Sequence, residues 1–264
     1  MSNFLQKIRG LTETRVAKAK QSVSVADLEQ SPLFKRVPHD VKAAFREDAY
    51  NIIAEIKFAS PSEGDIHAGG NPVAIAEGYL SAGAKMLSIL TEPEFFKGDL
   101  GYLKAVREKR ADARLLRKDF MVDTYQLFEA KAHGADAILL IVAMTEFALT
   151  NDLFQAATGL GLAPLVEVHD EAELEEAVKL GADFIGVNNR NLKTLKTVLD
   201  IGRRLAQQKP KDSVFICESG LSRADDLKAM KSLGYNGFLM GTSFMRKDNP
   251  GKALGDLQEQ LKCA

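Results

Sequence analysis

A chain of 264 residues with 45% hydrophobic side chains can bury one large core, so a single domain spanning 1–264 is the expectation. Its 35 basic and 36 acidic side chains leave a net charge of -1, which excludes a global field that would draw nucleic acid or an anionic membrane; any anion site must be local. The longest uninterrupted apolar run, Ala137 to Met144, is far short of the roughly 20 residues of a bilayer span, and no signal-peptide core opens the chain, so a soluble cytoplasmic protein is expected.

Residues 1–50 read as a helical extension, with Phe4 to Lys20 and Val41 to Asp48 as helices joined by a stretch around Ser31-Pro32. Such an extension could lid one mouth of the domain that follows. From residue 51 onward, short β-branched runs alternate with segments of helical period, the pattern of βαβ units around a parallel sheet. Eight units can be counted, with strands predicted at Asn51–Phe58, Ala84–Thr91, Arg114–Phe120, Ala135–Ala143, Ala163–His169, Asp183–Asn189, Ser213–Ser219 and Gly237–Gly241. Asp123 with Gln126, and Asp170 with Glu173, have the spacing of helix N-caps, while Gly83, Gly134, Gly181 and Gly234 punctuate helix ends. An open doubly wound sheet would also use such units, but their number and the glycine-rich seventh and eighth turns favour closure into a (β/α)8 barrel over 51–264.

In a barrel of this kind, polar residues at the C-terminal ends of strands carry the functional information. Strand one reads Ala54-Glu55-Ile56-Lys57, and its two-residue period puts Glu55 and Lys57 on one face, either as working charges or as a structural ion pair capping the barrel. Strand three ends Arg117-Lys118-Asp119-Phe120; Lys118 either points into the mouth or simply solvates the strand exit. Glu167 is the lone charge in Ala163-Pro164-Leu165-Val166-Glu167-Val168, and Asn188 and Arg190 share parity at the end of strand six. Strands seven and eight end Glu218-Ser219-Gly220 and Gly241-Thr242-Ser243. Glycines admit a ligand to the backbone and helix N-termini offer N–H groups, so these turns together suit a phosphate, although Gly241-Thr242-Ser243 alone could be a plain turn. Two cysteines, Cys217 and Cys263, and four scattered histidines form neither a disulfide framework nor a metal-ligand cluster, and no Gly-x-Gly-x-x-Gly turn is present; no cofactor and no metal are expected.

Several segments, in order, resemble the indole-3-glycerol-phosphate synthase family: Glu55-Ile56-Lys57, Ser60-Pro61-Ser62 with Gly64, Leu115 to Phe120, Leu139 to Ala143, Leu165 to His169, Val187 to Leu192, Glu218-Ser219-Gly220 and Met240-Gly241. The resemblance runs from about residue 51 to 257, and the helical N-terminus is similar too. The chain departs from the family's pattern at Phe58, where a basic or small residue is usual, and at Glu63, where Lys is frequent, which implies a first loop with different substrate access or dynamics.

The resemblance implies a phosphosugar substrate with an anthranilate carboxylate at one end and a phosphate at the other, closed to an indole with loss of carbon dioxide and water. It implies Lys118 as the acid for the attacked carbonyl, Glu167 and Lys57 as the partners for dehydration with Glu55 tuning Lys57, and Asn188 and Arg190 orienting the anthranilate. Ser60, Ser219, Gly220, Gly241 and Thr242 would hold the phosphate, with Glu218 beside them. Pro61, Phe120, Leu139 and Leu192 would wall the ring, though each is equally explicable as core. No cofactor is implied, because the ring itself is the electron sink, and a monomer is expected. Rival readings are a phosphoribosylanthranilate-type isomerase, a Schiff-base aldolase using Lys57 or Lys118, and a non-catalytic barrel that binds phosphorylated metabolites. The isomerase would want a Cys or Asp base at strands one and five, where this chain has Lys57 and Glu167. On the synthase reading, Lys118→Ala and Glu167→Gln abolish turnover and leave melting nearly unchanged.

Overall fold

The computed structural model describes residues 3–191 and 196–262. Eight parallel strands close into a barrel: β1 (Asn51–Ile56), β2 (Met86–Leu90), β3 (Leu115–Lys118), β4 (Ala137–Ile141), β5 (Ala163–Val168), β6 (Phe184–Asn188), β7 (Val214–Glu218) and β8 (Gly237–Met240). Closure is a matter of register, since β1 pairs with β2 through Ile53 and Met86 and with β8 through Asn51 and Gly237. Each predicted strand is present and shorter by one to four residues; at the C-terminal ends Lys57, Asp119, Phe120, Ser219 and Gly241 lie beyond the ladder and line the mouth.

Helices between the strands include α3 (Pro72–Ser81), α5 (Leu100–Lys109), α6 (Tyr125–Ala132), α7 (Phe147–Gly159), α8 (Glu171–Lys179), α9 (Asp200–Ala206) and α10 (Ala224–Ser232), with α4 (Pro93–Phe96), α11 (Thr242–Met245) and α12 (Pro250–Lys262) completing the ring. The expected caps form: Asp170 Oδ1 accepts from the Glu173 amide at 2.9 Å, and Asp123 Oδ1 from the Tyr125 amide at 2.9 Å. Gly83, Gly134, Gly181 and Gly234 all have positive φ, as a left-handed stop demands.

Strand residues of one parity, such as Ile52, Leu87, Leu115, Val166 and Ile185, pack outward under the helices. Those of the other parity, such as Ile53, Leu116, Leu165, Phe184 and Ile216, fill the barrel. Stepping two residues further along each inward series gives Glu55, Lys118, Glu167, Gly186 and Glu218, so the alternation that builds the core also delivers the charges to its upper rim.

The N-terminal extension serves both ends of the cylinder. Helix α1 (Asn3–Ser22) lies at the C-terminal rim, where the Phe4 ring meets Phe95 and Phe120 edge-on at centroid distances of 5.3 and 6.4 Å and Arg15 pairs with buried Asp119 at 2.7 Å. A second helix, α2 (Val25–Gln30), follows where the sequence pointed only to a connection. The predicted helix at Val41 to Asp48 shrinks to a single 3-10 turn, Lys42–Phe45. Its apolar spacing is used as a plug instead. Phe45 packs on Phe184 at 5.9 Å, and a Cβ at Gly237 would come within 2.6 Å of the Phe45 ring, so the bottom of the barrel is closed by this side chain. Beyond Phe45 the chain turns, the Asn51 side chain donates to the Glu47 carbonyl, and β1 begins at Asn51.

Candidate functional site

A cavity of about 660 Å³ opens at the C-terminal rim. Its floor is a chain of alternating charges. Lys118 Nζ lies 2.9 Å from Glu167 Oε2 and 2.9 Å from Glu218 Oε2, and both carboxylates are only 2% exposed. Asn188 Nδ2 donates to the other oxygen of Glu167 at 3.0 Å. On the neighbouring wall Lys57 Nζ sits 2.6 Å from Glu55 Oε2, both largely buried. The second oxygen of Glu218 has no hydrogen-bond partner among the described residues and rests against Gly186, where a Cβ would collide with it.

Burial penalises every charge on this floor, and the neighbours decide which survive. For Lys118 burial pulls the pKa down, but the charges of Glu167, Glu218 and Glu55 outweigh it and hold the ammonium firmly protonated. Glu167 faces the same desolvation, overcome by Lys118 and by contacts with His169 and Asn188, so its carboxyl stays well below the usual carboxylate range. Glu218 goes the other way: desolvation dominates, Lys118 offsets part of it, the charge on Glu167 adds to it, and the carboxyl is pushed up to about 7. Two glutamates on one lysine are thus split into an obligate anion and a group that titrates near neutrality.

The opposite wall is made of backbone turns. Ser219 and Gly220 follow β7 with φ of 64° and 81°, left-handed values that a serine adopts at some cost in strain. Gly220 is further required by space, since a Cβ there would approach Thr197 Cγ2 to 2.8 Å. Gly241 precedes α11, and the amides of Thr242 and Ser243 stand ahead of that helix's first hydrogen bonds, which begin at Phe244. Arg223, Arg246 and Lys247 line the same end of the cavity. Amides and cations converging on one concavity suit a phosphate dianion.

Fifteen residues singled out from the sequence line this one cavity: Glu55, Lys57, Ser60, Pro61, Lys118, Phe120, Leu139, Glu167, Asn188, Arg190, Glu218, Ser219, Gly220, Gly241 and Thr242. The sixteenth, Leu192, lies outside the described residues. Cavity residues not anticipated include Phe4, Phe96, Arg246 and Lys247. Arg246 could have been found as a basic residue one short helix beyond the eighth glycine turn. Nothing in the sequence of α1 marks Phe4, which reaches the cavity only through tertiary packing. The two departures in the first loop also acquire partners. Phe58 is buried against Tyr102 at a 5.6 Å centroid distance, and the Glu63 carboxylate pairs with Arg246, tying the first loop to the eighth. Ser62 in the same loop accepts a hydrogen bond from Arg190 Nη1 at 3.2 Å.

Residues 5–257 match the family model described as indole-3-glycerol phosphate synthase. Curated relatives named indole-3-glycerol phosphate synthase come from Laribacter hongkongensis, 44% identical over 262 residues with 97% of this chain and 99% of the relative covered, and from Polaromonas sp. strain JS666, 42% identical over 261 residues with 97% and 98% covered. Among solved structures, 3-hexulose-6-phosphate synthase from Salmonella typhimurium superposes with a TM-score of 0.65 at 14% identity, over 81% of this chain and 99% of that one. Thiamine phosphate pyrophosphorylase from Pyrococcus furiosus gives 0.61 at 16%, over 82% and 97%; at these identities the likeness is one of fold alone.

Proposed function

The chain belongs to the indole-3-glycerol phosphate synthase family, and we propose that its reaction is run by the lysines and glutamates on the floor of the rim cavity. The activity is the closure of 1-(2-carboxyphenylamino)-1-deoxyribulose 5-phosphate to indole-3-glycerol phosphate, with loss of carbon dioxide and water, a carboxy-lyase step of tryptophan biosynthesis. In this reaction an aromatic carbon attacks the sugar carbonyl, whose oxygen becomes an alkoxide. Lys118, kept as an ammonium by two carboxylates, delivers its proton there; an alkoxide is a stronger base than an amine, so the transfer runs downhill. Loss of the carboxylate as carbon dioxide leaves its electron pair in the ring and restores aromaticity. Glu167, the obligate anion of the pair, then removes a proton while Lys57, steadied by Glu55 at 2.6 Å, protonates the departing hydroxyl.

Asn188 fixes the Glu167 rotamer, and Arg190, whose planar fork matches a carboxylate, orients the anthranilate end. Ser60, Ser219, Gly220, Gly241 and Thr242, with Glu218 beneath them, bound the phosphate end, and Pro61, Phe120 and Leu139 wall the ring. The observation that supports this reading most directly is the 2.9 Å bridging of Lys118 between two buried glutamates facing a wall of backbone amides. We further propose one folded domain over 1–264 working as a cytoplasmic monomer. Exposed large apolar side chains such as Val37, Phe147, Val178 and Val198 are spread over separate elements, and light scattering of the purified protein tests the oligomeric state.

The deciding assay follows product fluorescence on adding substrate, without added metal or cofactor. Lys118→Ala and Glu167→Gln are each expected to lose at least about 100-fold in kcat. Wild-type rates in both variants would remove these residues from the chemistry.

A further inference from the structure

His169 stands one alternation beyond Glu167 at the end of β5 and has taken no part in the reaction so far. Both of its ring nitrogens face carboxylates. Nδ1 is 3.0 Å from Glu173 Oε2 on α8, and Nε2 is 3.3 Å from Glu167 Oε1, the second contact being a charge pairing rather than an aligned hydrogen bond. A neutral imidazole has one N–H and one lone pair, so in this position it would turn a lone pair toward an anion; only the imidazolium satisfies both sides. The ring is held firmly. Its side chain is 10% exposed, Glu173 Oε2 also accepts the His169 backbone N–H at 2.8 Å, and Asp170 Oδ1 caps the Glu173 amide in turn.

We propose that His169 is a positioning residue for the ring-forming reaction, an imidazolium clamped between Glu173 and Glu167 that fixes the Glu167 carboxylate and keeps it an anion. The proposal rests on Glu167 acting as the base. Glu167 Oε1 takes a hydrogen bond from Asn188 and a charge contact from His169, while Oε2 takes Lys118, so two donors and one further cation hold the carboxylate in place. The charged groups facing the ring are Glu167 from its own strand and Glu173 from α8, with Lys118 on β3 and Glu218 on β7 standing behind Glu167. Burial lowers the pKa of the ring, but these two facing carboxylates carry it up to about 10, so the positive charge persists across the working range. The consequence is that Glu167 has two cations at hand: when Lys118 gives its proton to substrate and becomes neutral, His169 still holds the base ionised for the step that follows.

The experiment compares kcat–pH profiles of wild type, His169→Asn, Glu173→Gln and Glu167→Gln, with circular dichroism and product binding reporting the fold. His169→Asn is expected to lower kcat by about tenfold, with KM within about twofold of wild type, because the Glu167 carboxylate loses one of the groups that fix it. Glu173→Gln keeps the shape of the clamp but drops its outer charge; the ring then loses its proton at lower pH, and a new decline appears on the alkaline side. Profiles of both variants that superpose on wild type would overturn the proposal, and should His169→Asn fail to fold, Glu173→Gln decides alone. Glu167→Gln separates the two ideas: full activity there defeats the role given to Glu167, whereas an inactive Glu167→Gln beside unaltered profiles for the other two defeats the role given to His169.

Discussion

Glu218→Gln is expected to stabilise the protein above neutral pH and to do little in mild acid. The Glu218 carboxyl, 2% exposed, rises from the ordinary 4.5 to about 7, chiefly by desolvation, with Lys118 offsetting part of that and the charge on Glu167 adding to it. A folded-state pKa above the unfolded one means that the native protein holds this proton more tightly. Stability therefore falls as pH climbs from about 4.5 to about 7, and the loss stays constant beyond. At about 1.4 kcal/mol per pKa unit, the ionised side chain costs folding roughly 3 kcal/mol at pH 8 and under about 1 kcal/mol at pH 5. Glutamine keeps an oxygen for the Lys118 hydrogen bond and removes the charge, while Lys118 retains Glu167 at 2.9 Å. In a chain of this size 3 kcal/mol corresponds to a melting shift on the order of 5–10 °C. Thermal unfolding of wild type and Glu218→Gln at pH 5 and pH 8 gives the comparison directly. A melting difference that is the same at both pH values, or a variant less stable at pH 8, would refute the electrostatic account of this floor.

Lys118→Met inverts that experiment. It leaves Glu167 and Glu218 buried without their shared cation, so besides losing turnover it should be destabilised by about 3–5 kcal/mol at pH 8, with much of the loss recovered at pH 5 by urea titration. The sequence alone led to an expectation of nearly unchanged melting for Lys118→Ala; the two buried carboxylates that share this lysine lead to a different one. Gly241→Val places a Cβ 2.5 Å from Glu55 Oε2 and 2.9 Å from Glu55 Cβ, so it should raise KM at least about tenfold by crowding the phosphate turn and also lower kcat by prising Glu55 from Lys57; a change in kcat alone would contradict the phosphate placement. Gly251→Ala acts far from the chemistry. Its Cβ would lie 2.8 Å from the Gly78 backbone where α12 crosses α3, so a loss of about 1–3 kcal/mol in denaturant titrations is expected with kcat and KM unchanged.

Parity explains both what the sequence made legible and what it hid. Within a strand the two-residue period is rigid, so Glu55 and Lys57 had to share a face, and they meet at 2.6 Å. Which face pointed inward at Lys118 could not be decided locally, because Arg117, Lys118 and Asp119 are all charged. The closed barrel decides it: Leu116 belongs to the interior, so Lys118 does too, while Arg117 turns outward to the Gln126 carbonyl and Asp119 to Arg15 of α1. The N-terminal extension was the least readable part for a related reason. The apolar spacing of Val41, Ala44 and Phe45 is the same whether it faces a neighbouring helix or fills the end of a cylinder, and only the void below Gly237 distinguishes the two. The charge ledger of the floor was hidden most deeply. Sequence supplies two glutamates at equivalent strand ends, Glu167 and Glu218, but their opposite behaviour comes from asymmetric neighbours: His169 and Asn188 attend the first, whereas the second has Gly186 and an oxygen without a hydrogen-bond partner among the described residues. A Cβ at 186 would collide with the Glu218 carboxylate, so the glycine in β6 leaves the room that a buried carboxylate on β7 occupies.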